Sequence, residues 1–221
     1  MNISHRFVII TAIFVTCLIT ANIIAVKIVS FGSVILPAAI FVFPVSYIFG
    51  DVLTEVYGYR SARRVIWLGF ICNLVFVFFA WLGQILPPAP FWKGQEAYES
   101  ILGYTPRLLV ASFSGYLVGE FANSFILAKM KILTRGRWLW SRTIGSTIVG
   151  QGLDTSVFIT LAFIGTASFA PVMLLYHWLA KIAIEAAATP LTYAVVKDLK
   201  KKEAVDTYDY ETKFNPFSIS D

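Results

Sequence analysis

Charged residues are scarce in this chain of 221 residues: they make up 14% of it, whereas an average soluble domain has about 25%. Hydrophobic residues make up 57%, against about 45–50% in soluble proteins. This balance excludes an ordinary water-soluble enzyme, and it equally excludes a disordered or collagen-like chain. A polytopic membrane protein is predicted, since the chain is long enough for about six crossings of ~20 residues each.

Cysteine and the common catalytic motifs are also nearly absent. The two cysteines, Cys17 and Cys72, lie in apolar stretches without CxxC or Cys/His spacing, so neither a structural disulfide nor a metal site is expected. The sequence has no Walker A pattern, no Gly-rich dinucleotide loop, no GxSxG motif and no HExxH motif. We therefore predict no catalytic residues and no cofactor, and we do not expect the chain itself to hydrolyse ATP.

Basic residues outnumber acidic ones, and the net charge is +5. They lie between apolar stretches rather than on one amphipathic surface, so nucleic acid is not an expected partner. Lys and Arg concentrate on the cytoplasmic side of membrane proteins, which predicts that both termini are cytoplasmic. One side of this topology carries Arg6, Arg60, Arg63, Arg64, Lys129, Lys131, Arg135, Arg137, Arg142, Lys197, Lys200, Lys201 and Lys202, and the other carries only Lys27, Lys93 and Arg107.

Six apolar stretches of helical length divide the chain. We therefore predict an all-α fold, a bundle of six transmembrane helices in the lipid bilayer. Residues 1–200 are expected to form one transmembrane domain and residues 201–221 a flexible cytoplasmic tail. The alternative is that this tail caps the cytoplasmic face. The predicted helices cover about 7–27, 34–57, 65–86, 108–128, 143–166 and 171–196.

Ionisable side chains interrupt these apolar stretches. An ionisable group costs at least ~2.5–3.5 kcal/mol in hydrocarbon, so it is expected to face the bundle interior and to have a function there. At about 1.5 Å per residue, Glu120, Asp154, Lys181 and Glu185 all lie near the bilayer midplane. Transporters hold substrates and coupling ions at this depth, so these residues are candidates for a transport site.

Two of the predicted helices carry rows of small residues at four-residue spacing. Such rows let helices approach closely, so we expect the carboxylates beside them to face another helix rather than lipid. The rows are Ala111, Gly115, Gly119 and Asn123, next to Glu120, and Ser146, Gly150 and Asp154.

The midplane charges leave a net acidic centre. An anionic substrate is therefore disfavoured, and a cation, a proton or a neutral molecule rich in N–H donors fits better. The polar residues also have structural explanations that stay open. These are an ion pair between Lys181 and Glu185 one turn apart, interhelical hydrogen bonds of Asn22 and Asn73, and a solvated helix end at Asp51 and Glu55.

Residues 43–58 read FPVSYIFGDVLTEVYG and are followed by Ala62-Arg63-Arg64. This segment resembles the signature of the queuosine precursor transporter family, formerly described as a vitamin-uptake family. The resemblance extends over residues 10–200. Its later blocks are Gly119-Glu120, Asn123-Ser124, Arg142-Thr143, Ser146-Thr147, Gly150, Asp154-Thr155, Phe158, Glu185, Pro190 and Tyr193.

The resemblance implies a six-helix protein of the cell inner membrane that imports 7-deazaguanine bases. The family's substrates are 7-cyano-7-deazaguanine, its 7-aminomethyl analogue and queuine, which serve tRNA modification in organisms that salvage the base. The residue chemistry agrees with such a substrate, because one carboxylate can accept hydrogen bonds from both N1–H and the exocyclic amine of a guanine-like edge.

Several residues are therefore candidates for substrate binding. Glu120 or Asp154 is expected to read the donor edge of the base, and Asn123, Gln151 or Lys181 to donate to the ring carbonyl. The aromatic candidates Tyr47, Tyr116 and Trp178 provide a stacking surface. Asp51 or Glu185 would suit an aminomethyl cation, and Glu55 is a further acidic candidate.

Other functions and mechanisms stay open. The runner-up is a transporter or substrate-capture subunit for another flat heterocycle such as a vitamin. Different classes are an intramembrane enzyme with Glu120, Asp154 and His177 as acid–base groups, and a structural subunit. The preferred deazaguanine stays open as well. The energy coupling is open between facilitated diffusion, proton coupling and a separate ATPase module. The rows of small residues also allow a homodimer.

Overall fold

The computed structural model describes residues 4–31, 34–103, 106–165 and 171–218. Within these ranges the chain forms seven α-helices and one antiparallel two-stranded hairpin. The helices are α1 (His5–Ile24), α2 (Phe43–Tyr57), α3 (Tyr59–Ile85), α4 (Gln95–Leu102), α5 (Pro106–Leu133), α6 (Leu139–Phe163) and α7 (Pro171–Glu203). The strands are β1 (Ile28–Phe31) and β2 (Val34–Pro37), and a short 3-10 turn, Ala38–Phe41, leads from β2 towards α2.

The predicted helical class is confirmed, because helices make up most of the described chain. Five of the predicted stretches coincide with α1, α3, α5, α6 and α7, with differences at their ends. The predicted end of the fifth stretch, residue 166, lies outside the described residues. The short helix α4 occupies the connection between α3 and α5, where the sequence pattern predicts no helix.

The predicted start of the second helix, at residue 34, is wrong. Residues 34–37 pair with residues 28–31 as antiparallel strands, and α2 begins only after them. Two prolines explain the difference. Pro37 has no N–H to donate within a helix, whereas Pro44 lies in the first turn of α2, where that donor is not needed. The all-α class therefore needs one correction, the hairpin.

Length and composition mark several helices as candidate membrane spans. Among the described residues these are α1, α3 and the part Leu174–Glu203 of α7. The helices α5 and α6 have 28 and 25 residues, more than the ~20 that a crossing needs. The helix α2 is shorter, since its 15 residues extend about 22 Å against a hydrocarbon core of about 30 Å.

The two rows of small residues form the contact between α5 and α6. A Cβ atom added at Gly119 would lie 2.5 Å from the Cβ of Asp154, and one added at Gly150 would lie 2.6 Å from the Cβ of Asn123. Both distances are shorter than any normal contact, so only glycine fits at either position. The expected close approach of these helices is confirmed.

Most basic residues gather at one end of the bundle, which we call the basic end. It consists of the first turn of α1, the α2–α3 junction, the α5–α6 junction and the last turns of α7. Direct contacts hold these segments together. Ser4 and Tyr57 each donate a 2.7 Å hydrogen bond to the carboxylate of Glu203, and Arg142 binds Glu55 at 2.8 Å.

The segment 204–218 packs against the basic end. Asp209 accepts a hydrogen bond from the backbone N–H of Tyr59 at 3.0 Å, and the indole of Trp67 donates to the carbonyl of Pro216 at 2.8 Å. The sequence led us to expect a flexible tail. The observed arrangement corresponds to the alternative, in which the tail covers one end of the bundle.

Candidate functional site

A cavity of about 500 Å³ lies between α1, the hairpin, α2, α3, α5, α6 and α7. This volume falls within the range of about 300–1,000 Å³ that is typical of small-molecule sites. Ala25, Ile28, Pro37 and Ile40 border it, so it reaches the end of the bundle opposite the basic end. Its polar lining residues are Asn22, Ser46, Tyr47, Asn73, Ser112, Tyr116, Glu120, Gln151, Asp154, Thr155, His177 and Lys181.

Six of the eleven predicted substrate-binding residues meet in this cavity. They are contributed by α2, α5, α6 and α7, so the fold brings together positions that are far apart in sequence. The six are Tyr47, Tyr116, Glu120, Gln151, Asp154 and Lys181. The other five, which do not line the cavity, are Asp51, Glu55, Asn123, Trp178 and Glu185.

Glu120 is a cavity carboxylate to which no described residue donates a hydrogen bond. Its half-buried side chain makes no hydrogen bond or ion pair with any described residue. The helix α2 approaches it at Gly50, where an added Cβ would lie 3.6 Å from Oε2 of Glu120. Both carboxylate oxygens are therefore available as acceptors for a ligand with paired N–H donors.

Asp154, the second cavity carboxylate, is neutralised by an ion pair. The ammonium group of Lys181 on α7 donates to Oδ2 of Asp154 on α6. The alternative that Lys181 pairs with Glu185 on its own helix is wrong, because neither carboxylate oxygen of Glu185 has a hydrogen-bond partner. Asp154 also fills the space beside Gly115, where an added Cβ would lie 2.9 Å from Oδ1. Its position is thus fixed by two neighbouring helices.

Two tyrosine rings line the cavity with their hydroxyl groups engaged. Tyr47 donates to the side-chain oxygen of Gln151 at 3.2 Å, and Tyr116 donates to a backbone carbonyl of α3 at 3.0 Å. Because Gln151 accepts through its oxygen, its amide nitrogen is the group that can donate to a ligand carbonyl. Trp178, the third aromatic candidate, instead donates to a backbone carbonyl of α6 at 2.8 Å.

The cavity also contains residues that sequence reasoning missed. Thr155 is buried and its hydroxyl has no hydrogen-bond partner among the described residues, so it can bind a ligand atom. Phe113 and Phe158 add apolar surface, but their spacing is the same as that of ordinary core residues. The prediction for the amides of Asn22 and Asn73 is confirmed, since Asn22 donates to Asn73 at 2.7 Å between α1 and α3.

A second polar group is buried beside the cavity. Asp51, Asn123 and Glu185 come from α2, α5 and α7, and the amide of Asn123 donates to Oδ1 of Asp51 at 2.9 Å. Glu185 is 0% exposed and Asp51 is 1% exposed. The alternative that Asp51 belongs to a solvated helix end is therefore wrong.

Glu55 belongs to a cluster of ions at the basic end. Its carboxylate is fully buried and binds Arg142 at 2.8 Å and Lys200 at 2.7 Å, with Lys131 at 3.7 Å. The solvated-helix-end alternative is wrong for this residue as well. Residues of four helices meet in this cluster. Glu55 therefore holds the basic end together and does not line the cavity.

Asp206 in the tail completes the ion cluster. It accepts hydrogen bonds from the ammonium groups of Lys131 and Lys200. Partial burial alone would raise the pKa of Asp206, but the hydrogen bonds from both lysines outweigh that effect and hold the pKa below its usual value. Asp206 is therefore ionised at neutral pH and ties the tail to α5 and α7.

Residues 37–195 match the model of the family described as "Putative vitamin uptake transporter". The chain is also 31% identical over 156 residues to the "Probable queuosine precursor transporter" of Bacillus subtilis, a match that covers 69% of this chain and 68% of that protein. The chain belongs to this transporter family. As a member of it, the chain is a membrane transporter rather than an enzyme.

More distant members of the transporter family match as well. The "Probable queuosine precursor transporter" of Haemophilus influenzae is 25% identical, and the match covers 62% of this chain and 54% of that protein. The "Queuosine precursor transporter" of Escherichia coli is 26% identical, with 56% and 53% covered. The chain thus aligns with about half the length of these two relatives. No solved structure matches the chain.

Proposed function

We propose that this transporter imports a queuosine precursor, a 7-deazaguanine base, across the cell inner membrane. Relatives from three bacteria carry that substrate class in their names. In the proposed topology α1, α3, α5, α6 and α7 cross the membrane, and α2 makes the sixth crossing together with the 3-10 turn that precedes it. The basic end and both termini face the cytoplasm, as the positive-inside rule favours. The cavity then reaches the outer side of the membrane, where an imported base enters.

Glu120 is proposed to read the donor edge of the base. The observation that carries this proposal is the difference between the two cavity carboxylates: Lys181 donates to Asp154, whereas no described residue forms a hydrogen bond or ion pair with Glu120. A carboxylate accepts the N1–H and the exocyclic amine of a guanine-like ring together. Gln151 lines the same cavity, and its amide is proposed to donate to the ring carbonyl.

The remaining lining supports a flat, mostly apolar ligand. The rings of Tyr47 and Tyr116 supply stacking surface, and stacking of a base on an aromatic side chain contributes ~1–3 kcal/mol. Thr155 offers a buried hydroxyl that forms no hydrogen bond with any residue in the described part of the chain. We propose that it binds the substituent or a ring nitrogen of the base.

A thermal-shift titration of the detergent-purified protein tests this function. The compounds are 7-cyano-7-deazaguanine, its aminomethyl analogue, queuine, guanine and an unrelated vitamin. A bound ligand raises the unfolding temperature by an amount that grows as RT ln(1 + [L]/Kd). We expect deazaguanines to stabilise the wild type and Glu120→Gln to weaken their binding about 10- to 100-fold, because hydrogen bonds to a charged group contribute about 1.5–3 kcal/mol.

The matched control is Glu96→Gln, which changes an exposed carboxylate on α4 outside the cavity. It should bind the bases as the wild type does. Equal binding by Glu120→Gln and the wild type would contradict the assigned role of Glu120. Stabilisation by the vitamin and by none of the deazaguanines would favour the second candidate, uptake of another flat heterocycle, which the description of the matching family suggests.

A further inference from the structure

The buried group of Asp51, Asn123 and Glu185 has acceptor atoms and too few donors. Among the described residues, the only hydrogen bond between its members runs from the amide of Asn123 to Oδ1 of Asp51 at 2.9 Å. Four oxygens in this part of the described chain have no partner at all: Oδ2 of Asp51, Oδ1 of Asn123, and both Oε1 and Oε2 of Glu185. All three side chains are more than nine-tenths buried.

The charges around this group do not supply the missing donors. Asp51 on α2 experiences Glu185 from α7, Glu120 from α5 and Glu55 from its own helix, all of them acidic. Glu55 is already held by the cations of the basic end. Lys181, a cation that interacts electrostatically with Glu120, binds Asp154. Two buried carboxylates that repel each other, with no described cation bound to either, cannot both stay ionised at an acceptable cost.

We propose that Asp51 and Glu185 form a proton-binding site that couples transport to the proton gradient. When either carboxylate binds a proton, one negative charge is removed. The new O–H group can then donate a hydrogen bond to one of the buried oxygens that lack a donor. A Ca²⁺ or Mg²⁺ ion is a poorer fit, because it takes six or more oxygen ligands, and the described residues contain no group of three or more His, Cys, Asp or Glu side chains suited to any metal.

Glu120 provides the connection to the substrate cavity. It lines the cavity and interacts electrostatically with Glu185, and Asp51 in turn experiences Glu120. A base that binds Glu120 changes the electrostatic potential at Asp51 and Glu185. Conversely, a proton bound there changes the affinity of Glu120 for the base. The coupling part of this inference rests on the proposed function, whereas the presence of the bound proton does not.

The bound proton can be tested without any substrate. Infrared difference spectra of the full-length wild type between acid and alkaline pH should show the C=O band of a buried protonated carboxyl group. The band should disappear or shift in Glu185→Gln and in Asp51→Asn. It should persist in Asp198→Asn, which alters an exposed carboxylate on the same helix that binds Lys202 at 2.8 Å. A band unchanged in both site variants would overturn the proposal.

Uptake into proteoliposomes tests the coupling. With 7-cyano-7-deazaguanine as the probe, a pH gradient that is acid outside should drive wild-type accumulation several-fold, and a protonophore should abolish it. Glu185→Gln should retain base binding in the thermal-shift assay but lose the response to the gradient, with Asp198→Asn again as control. Accumulation driven by a sodium gradient alone, or a gradient response retained in both Glu185→Gln and Asp51→Asn, would overturn the coupling. Failure of the wild type to bind any deazaguanine would instead contradict the proposed substrate.

Discussion

The carboxylate of Asp209 accepts hydrogen bonds from the backbone N–H of Tyr59, at 3.0 Å to one oxygen and 3.2 Å to the other. Tyr59 is the first residue of α3, and the residue before it is Gly58, which has no side chain with which to cap the helix. A side chain 150 positions away thus performs the function that Ser, Thr, Asp or Asn usually performs at the N-cap. Its negative charge also suits the positive end of the helix dipole.

Replacement of Asp209 should therefore destabilise the protein. Loss of an N-cap side chain costs about 0.5–2 kcal/mol, and Asp209→Ala should lower the free energy of unfolding by about that amount. Thermal unfolding in detergent measures the change. Glu211→Ala removes an exposed carboxylate two positions along the tail and serves as the control. Equal unfolding temperatures for Asp209→Ala and Glu211→Ala would show that the cap does not contribute.

The ion cluster at the basic end predicts a pH dependence. The pKa of Asp206 lies below its usual value, which is about 3.9 in an unfolded chain. Its ionised form therefore stabilises the folded state fully above that value, and the contribution disappears as the pH falls through the lower folded pKa. The difference in stability between the wild type and Asp206→Asn should be constant from pH 7 to about pH 5 and should shrink below about pH 4.

Unfolding of both proteins at a series of pH values checks this prediction. Asp198→Asn, which lacks an exposed carboxylate on α7, controls for the general effect of removing one negative charge. Asp206 is partly exposed, so added salt should reduce the difference. A difference that vanished already between pH 7 and about pH 5 would contradict the lowered pKa.

Close contact between α5 and α6 makes Gly119 intolerant of a larger residue. In Gly119→Ala the new Cβ would lie 2.5 Å from the Cβ of Asp154 and 3.0 Å from the carbonyl oxygen of Gly150. The helices must move apart, which costs about 1–3 kcal/mol and displaces Asp154 in the cavity. We expect both a lower unfolding temperature and weaker binding of the base in the thermal-shift titration.

A matched control for Gly119 exists on the neighbouring helix. At Gly145 an added Cβ meets only the flexible end of Met130, at 3.0 Å. Gly145→Ala should therefore leave base binding unchanged and alter stability little. If Gly145→Ala lowered the unfolding temperature and the base affinity as much as Gly119→Ala, the contact with Asp154 would not be the cause. Helix propensity or general packing would then explain both effects.

The pair of Asp154 and Lys181 should behave as one unit. Both side chains are mostly buried, with 23% and 12% of their surfaces exposed, so removal of one partner leaves an uncompensated charge. Asp154→Asn and Lys181→Met should each destabilise the protein. The double variant should lose less than the sum of the two single losses, with an interaction energy of about 0.5–3 kcal/mol. Additive losses in this double-mutant cycle would contradict the ion pair.

Local sequence patterns could predict the parts of this molecule that repeat at helical spacing. The rows that include Gly119 and Gly150 indicated a close helix pair, and the depth of Glu120, Asp154 and Lys181 indicated that they could meet. Position along a helix gives depth but not the direction in which a side chain points. For that reason the sequence could not show whether Glu185, at the same depth, lines the cavity or belongs to the buried group beside it.

Tertiary contacts determined the features that the sequence could not predict. The three cations around Glu55 come from α5, α6 and α7, and no spacing within one helix reveals such a cluster. The hairpin could not be distinguished from a helix start because a short apolar run is compatible with both. Thr155 belongs to one block of the family resemblance, but a single threonine in an apolar helix is common, and its missing hydrogen bond becomes visible only among the described residues of the folded chain.

The contacts of Asp206 and Asp209 determine when the basic end can be completed during synthesis. A ribosome makes α1 to α7 before it makes residues 206–216. Until those residues emerge, the first turn of α3 has no cap, and Lys131 and Lys200 lack one of their carboxylate partners. This end of the bundle therefore stays open while the helices are made, and the segment that contains Asp206 and Asp209 closes it after it emerges.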